Sequence, residues 1–399
     1  MLTLLAFTTA LLTSAAAPPD WIAAWTYAPT AVMLPVGVPT PPRANDPRGP
    51  GGPGTVADAT LTQTVRLMAG GERIRIRVSN LYRASDLDIG RASISQGQGA
   101  PTPILFDGHP DLVLPVGASR LSDPITLPVD PLDQVAVRLF LPDETILPIH
   151  QFRQTLMPGD ATGASGLPAE AEKVRMGSLL SAIEVESTTP LGVIVAMGDS
   201  ITEGTGALPS PQGVRGWPER LGERMIAGRK PWAVVNAGIG GNRLLHQSSG
   251  PSGLERLDAD ALVVSGARCL ILLEGVNDIR RPARREFAHQ PVTADDLIAG
   301  YRQVAARAHA AGLRLVVATI PPSAGSENAP ANGEPIRQSA NAWIRASPDI
   351  DARIDFDAVL RDPADPSRLR ADYQSGDWLH PNDAGYQAMA DAIPLEICD

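Results

Sequence analysis

The rhythm of apolar residues changes near Leu191, and the two rhythms call for different architectures. Before that point apolar and polar residues alternate. In Glu72-Arg73-Ile74-Arg75-Ile76-Arg77-Val78 every second side chain is apolar, which places Ile74, Ile76 and Val78 on one face of a strand and arginines on the other. Val135 to Leu141 is a second strand, Gly, Pro and Asp clusters punctuate the intervals, and helical periodicity is almost absent between Thr60 and Ile183. Short strands bounded by turn signals predict a jelly-roll-like β-sandwich over residues 20–185. A Pro- and Gly-rich stretch at 34–56 supports neither helix nor central strand and reads as a long loop.

After Leu191, continuous apolar strands alternate with helices. Val193 to Met197, Ala233 to Asn236, Cys269 to Leu273, Leu313 to Ile320 and Ile350 to Phe356 are the strands. Trp217 to Gly228, Thr293 to Ala311, Ile336 to Arg345 and Asn382 to Ile393 have helical spacing, with Thr293 placed as an N-cap. Strands that are apolar throughout belong to a parallel sheet covered on both faces, so an α/β domain is expected over 190–397. Two domains also suit 399 residues.

Four short segments carry chemistry. Gly198-Asp199-Ser200-Ile201 follows the first of these strands, Gly240-Gly241-Asn242 the second and Gly275-Val276-Asn277-Asp278 the third, while Asp377-Trp378-Leu379-His380 lies in a late loop. In an open parallel sheet, ligands bind outside the carboxyl ends of the strands, where three of these segments fall. A serine hydroxyl needs an adjacent base, and that base needs a third group to fix its tautomer. Ser200, His380 and Asp377 supply those types. Gly241, by its backbone N–H, and Asn277, by its side chain, supply donors for a developing oxyanion. Each piece has a plainer reading: a capping turn for Gly-Asp-Ser, a helix cap before Pro381 for His380, a tight turn for the glycines and an Asx-turn for Asn277. The segment around Ser200 is not a Gly-x-Ser-x-Gly elbow, because Thr202 stands at the second Gly. Gly238-Ile239-Gly240 is not a dinucleotide fingerprint either, since Arg243 replaces its third glycine.

All four segments, in this order over residues 191–393, resemble the SGNH (GDSL-type) hydrolase superfamily, with Ile201 in place of the Leu of the GDSL name. The stretches Val235 to His246 and Leu273 to Ile279 look like the secreted XynE-like esterase subgroup, which has a β-rich N-terminal domain. The resemblance implies a flavodoxin-like three-layer α/β/α fold. It also implies Ser200 as nucleophile, His380 and Asp377 as its relay, and an oxyanion hole of the Ser200 N–H, the Gly241 N–H and the Asn277 side chain. Short-chain acyl esters, acetyl esters on polysaccharides foremost, would be the substrate. Arg243 and His246 are candidates to line the pocket. Of the aromatics that could stack on sugar rings (Trp217, Trp343, Trp378 and Tyr373), Trp378 is the choice because it lies within the Asp-x-x-His segment. Two other functions fit the same residues: a carbohydrate-binding protein without catalysis, and an acyltransferase using the same acyl-enzyme.

Composition narrows the partners. A net charge of −10 is ill suited to nucleic acid or an anionic membrane surface. Lys173 and Lys230 are the only lysines, so Arg280-Arg281 and Arg284-Arg285 read as composition bias on solvated faces. No His, Cys or Asp spacing resembles a metal-ligand set, and no cofactor is expected. Residues 1–17 read as a signal peptide ending in Ala15-Ala16-Ala17, which predicts a secreted or periplasmic protein without a membrane span. Cys269 and Cys398 fit either a disulfide or two free thiols. Oligomeric state is not legible.

Overall fold

The structure, a computed structural model, describes residues 20–30, 54–97, 99–147, 152–166, 171–187, 192–208 and 215–399. The expected signal segment at 1–17 and most of the loop at 34–56 lie outside these described residues.

Two larger antiparallel sheets dominate the described N-terminal residues. One joins Asp20–Thr26, Leu180–Ser187, Gly71–Ser79 and Ile125–Val129 in that order, with Ser119–Leu121 also paired to Gly71–Ser79. The other runs Glu172–Arg175, Arg153–Pro158, Ala59–Arg66, Gln134–Leu141, Arg91–Gln96, Thr102–Ile104. Alternation decides the faces: Ile74, Ile76 and Val78 are fully buried, as are Val135 and Val137 of the other sheet. Each such side chain contributes roughly 1.5–3 kcal/mol. The arginines of Gly71–Ser79 take the other face, where Arg73 pairs with Glu186, and Arg75 and Arg77 pair with Glu184.

One sequence expectation shifts here, and one strand is new. The loop expected through residue 56 ends earlier, because Gly54–Val56 forms a short strand on Thr145–Leu147 and Val56 is buried. Asp20–Thr26 is a strand that carries no local signal, since its partner Leu180–Ser187 lies far along the chain.

The C-terminal part is the expected α/β domain. Its parallel strands are β1 (Gly192–Gly198), β2 (Trp232–Gly238), β3 (Ala267–Leu273), β4 (Arg314–Ala318) and β5 (Ala352–Ile354), hydrogen-bonded in the order β2-β1-β3-β4-β5. This is the flavodoxin-like order, which reverses direction between β1 and β3. Right-handed crossovers then send helices to opposite faces on either side of that point. Among them α1 (Ser200–Glu203), α2 (Trp217–Ala227), α3 (Gly253–Leu257) and α4 (Val276–Arg280) come first. The later ones are α5 (Ala294–Ala310), α6 (Gly333–Ala346), α7 (Phe356–Leu360) and α8 (Asp383–Asp391). Helix α2 packs on β2 and α8, whereas α5 packs on β4 and α6. Thr293 caps α5 in a reciprocal capping box with Asp296.

The two parts share a seam. Strand Asp20–Thr26 packs on β2, the Ala23 N–H donates to the Ser265 carbonyl, and the Thr26 hydroxyl donates to the Asn236 carbonyl. Helix α1 also sits without clearance on the sheet. A Cβ on Gly198 would come within 2.2 Å of Thr202 Oγ1, and one on Gly238 within 2.3 Å of the Glu203 nitrogen.

Cys269 in β3 and Cys398 form a disulfide across 129 residues. By closing so long a loop in the unfolded chain, it is expected to stabilise the fold by roughly 2–5 kcal/mol. Denaturant unfolding of Cys269→Ser/Cys398→Ser should therefore show that loss against the oxidised protein, and coincident unfolding curves would refute the stabilising role.

Candidate active site

Ser200 stands at the first turn of α1, directly after β1, because Asp199 stops the strand and caps the helix by accepting the Ile201 N–H at 2.9 Å. Only 7% of Ser200 is exposed. Its Oγ lies 2.8 Å from His380 Nε2, and His380 Nδ1 lies 2.6 Å from Asp377 Oδ2. Asp377 Oδ1 accepts the backbone N–H groups of His380 and Leu379, so the Asp-x-x-His loop folds around its own carboxylate. Burial pushes the Asp377 carboxyl up, but the His380 ring and the two backbone donors outweigh it and hold the group well below the usual carboxylate range. The helix-cap reading of His380 is replaced by a different residue: Asn382 caps α8 by accepting the Gly385 N–H.

The two donor segments meet the serine from neighbouring strands. Ile239 to Asn242 form a turn closed by the Asn242 N–H on the Ile239 carbonyl, with Gly241 at φ 77°. That backbone conformation favours glycine at the third position of a turn. Asn277 does not make a local Asx-turn. Its Nδ2 donates to the Asn242 carbonyl at 3.0 Å and lies 3.5 Å from Asp199 Oδ2, which joins the second, third and first segments into one cluster.

Three buried residues hold that cluster. Asp278 is fully buried and accepts the Leu244 and Leu245 N–H groups, fixing the loop that carries Gly241. Arg256, also fully buried, donates to the Gly198 and Ala237 carbonyls at the ends of β1 and β2, to Asn242 Oδ1 and to Asp260. Glu274 lies under the same guanidinium, 3.5 Å away. None of these partners is close in sequence except Asp260, so spacing alone leaves them invisible.

The candidate lining residues separate. Arg243 is fully buried, donates to Gln290 Oε1 and lies against the Phe287 ring. His246 lines a cavity of about 220 Å³ with Asp296, Gly300 and Gln303, whose walls include none of Ser200, Asp377 and His380. Trp378 adopts φ 59° inside the Asp377–His380 loop and carries the Arg368 guanidinium 4.1 Å from its ring centre. Trp217 packs on Phe356 and Trp343 on Tyr301, while Tyr373 lies under Arg370. His150 lies outside the described residues. Among the described residues no group of three or more His, Cys, Asp or Glu side chains is disposed to hold a metal ion. No helix among them is long and apolar enough to cross a membrane.

Several carboxyls around the crevice are forced toward the neutral form. Burial pushes Asp199, Asp260 and Asp278 up to about 6, and Glu203 and Glu219 up to about 7. Unfolded carboxyls titrate near 4, so between about pH 4 and pH 7 the folded state holds more protons than the unfolded one. Stability must then fall as pH rises through that window. Asp377 acts with the opposite sign, but below it. We expect a lower melting temperature at pH 8 than at pH 5, and a shallower fall in Glu219→Gln. A melting temperature that rises from pH 5 to pH 8 would contradict this account.

Comparison with known proteins finds a family match over the region that carries the four segments. Residues 196–388 match the GDSL-like lipase/acylhydrolase family. A GDSL-like lipase from Bacteroides thetaiotaomicron VPI-5482 is similar over 51% of this chain and 87% of its own, at 19% identity and a TM-score of 0.38. The acetylxylan esterase Axe2 from Geobacillus stearothermophilus is similar over 51% of this chain and 94% of its own, at 19% identity and a TM-score of 0.39. None of the curated proteins matches the chain. All four segments lie within the stretch that matches the GDSL-like lipase/acylhydrolase family, and that match supports a serine ester hydrolase.

Proposed function

We propose that this enzyme is exported and hydrolyses short acyl esters, acetyl esters of poly- or oligosaccharides foremost, through an acyl-enzyme on Ser200. The observation that carries the mechanism is the unbroken relay from Ser200 Oγ through His380 to Asp377, with contacts of 2.8 and 2.6 Å. His380 Nε2 takes the proton as Ser200 attacks the ester carbonyl, and Asp377 holds the ring and stabilises the imidazolium. The oxyanion is received by the Ser200 N–H at the start of α1, the Gly241 N–H and the Asn277 amide. The Asn242 carbonyl holds one Asn277 N–H, which orients the amide for this task. His380 then protonates the departing alkoxide, and water, deprotonated by the same ring, releases the acid and restores Ser200.

The glycan substrate rests on the likeness of residues 235–246 and 273–279 to the XynE-like subgroup. Export is supported by the apolar, small-residue start of the chain and by the Cys269–Cys398 disulfide, which is at home in an oxidising compartment.

Hydrolysis of p-nitrophenyl acetate, butyrate and octanoate tests the reaction. The wild type is expected to favour the short esters, and Ser200→Ala to lose at least about a thousandfold in kcat/KM. Asn277→Ala should lose about 10²–10³ in kcat with little change in KM. Equal rates in wild type and Ser200→Ala would remove Ser200 as nucleophile and favour a binding protein.

A further inference from the structure

The arginines after Asn277 are not a solvated face. In α4 and the 3-10 turn that continues it, Arg280 and Arg281 follow Asn277 by three and four residues, so all three side chains leave the same side of the helix. Arg281 Nη2 lies 3.1 Å from Ser249 Oγ and 3.5 Å from the Gly241 carbonyl, against the turn that presents the Gly241 N–H. Arg280 is within electrostatic reach of both Asp199, which precedes the serine, and Asp377, which orients the base. Its Nη2 donates to the Glu327 carbonyl, while its buried Nε has no partner among the described residues. Burial, then the neighbouring charges of Arg284, Arg280 and Arg243, push Arg281 down to about 10.

The Arg243, Arg280, Arg281 and Arg284 guanidiniums lie close enough to repel one another, and the carboxylates near them are already engaged by other donors. Asp199 and Asp278, titrating near 6, are largely ionised at neutral pH, but Asp278 is taken up by the Leu244 and Leu245 N–H groups, Asp199 by the Ile201 N–H and Asp377 by His380. Such a site favours a bound anion, and a guanidinium fork matches a carboxylate. The departing alcohol must face His380 to receive its proton. It therefore occupies the side of the crevice where Arg280 reaches Asp377.

We propose that Arg280 and Arg281 form an anion subsite for the alcohol half of the substrate, making the preferred substrate a short acyl ester of a carboxylate-bearing alcohol. This rests on the esterase reading above and specifies its substrate class.

The test compares 3-acetoxybenzoate with its neutral methyl ester. The wild type is expected to show the higher kcat/KM on the anionic ester, with an advantage that shrinks as salt is raised. In Arg280→Gln, and further in Arg280→Gln/Arg281→Gln, the anionic-to-neutral ratio should fall at least tenfold, carried by KM, while Arg280→Lys keeps part of it. A ratio that moves less than twofold in folded variants would overturn the subsite. If the variants do not fold, inhibition of the wild type decides: benzoate should compete with a Ki at least tenfold below that of benzamide, and equal inhibition would refute the proposal. Failure of the wild type to cleave either ester would count against the esterase mechanism instead, and calorimetric binding of benzoate against benzamide would still decide the subsite.

Discussion

Where parallel strands end, their last carbonyls face into the protein and no helix supplies N–H groups to them. At β1 and β2 the Arg256 guanidinium takes this part, donating to the Gly198 and Ala237 carbonyls. A buried cation is tolerated only with charge compensation and filled hydrogen bonds. Here Asp260 and the Asn242 side chain meet it directly, and Glu274 lies close by. Asn242 in turn accepts the Asn277 amide through its backbone. One ion thus fixes the spacing of the strand before Ser200, the glycine turn and Asn277, and the Ser200–His380–Asp377 contacts are built on that frame. Removing Arg256 would take a donor from the Ala237 carbonyl, Asn242 Oδ1 and Asp260 in the interior and leave Glu274 without its nearest cation, a loss larger than that of one contact.

The seam between the two parts of the chain feeds into the same region. The Asn236 carbonyl accepts the Thr26 hydroxyl from the sandwich, while the Asn236 side chain donates to the Thr202 carbonyl in α1 and to Glu219. A polar bridge therefore runs from the N-terminal sheet to the short helix that begins with the serine. The sandwich is mechanically part of the catalytic half, although it supplies none of the relay residues.

What could be read in advance follows from range. Ser200, Asp377 and His380 were legible because each sits in a short segment whose neighbours announce it, and the parallel strands because they are apolar throughout. Val135 to Leu141 was legible as a strand, but its Arg138, buried against Ser95 and the Gly166 carbonyl, was not. Arg256 looks like an ordinary charged residue of a short helix, and Asp278, though part of a marked segment, shows its role only once long-range folding brings Leu244 and Leu245 to it. The arginines at 280 and 281 looked solvated for the same reason. Asp20–Thr26 is apolar but brief, and its identity as a strand depends on a partner near residue 180. The cysteine pair stayed open because only the fold sets the distance between positions 269 and 398.

The contact of α1 with the sheet has a consequence for how this enzyme can vary. With no side-chain cushion at Gly198 or Gly238, any atom added there displaces backbone at the serine itself. Those two positions are closed to substitution, whereas Ser249, Phe287, Glu327 and Trp378 lie in other segments, against Arg281, Arg280 and Arg368. Laboratory libraries aimed at new esters should therefore diversify those segments and leave the two glycines alone. In such a library the serine's chemistry and its choice of substrate become separately adjustable traits.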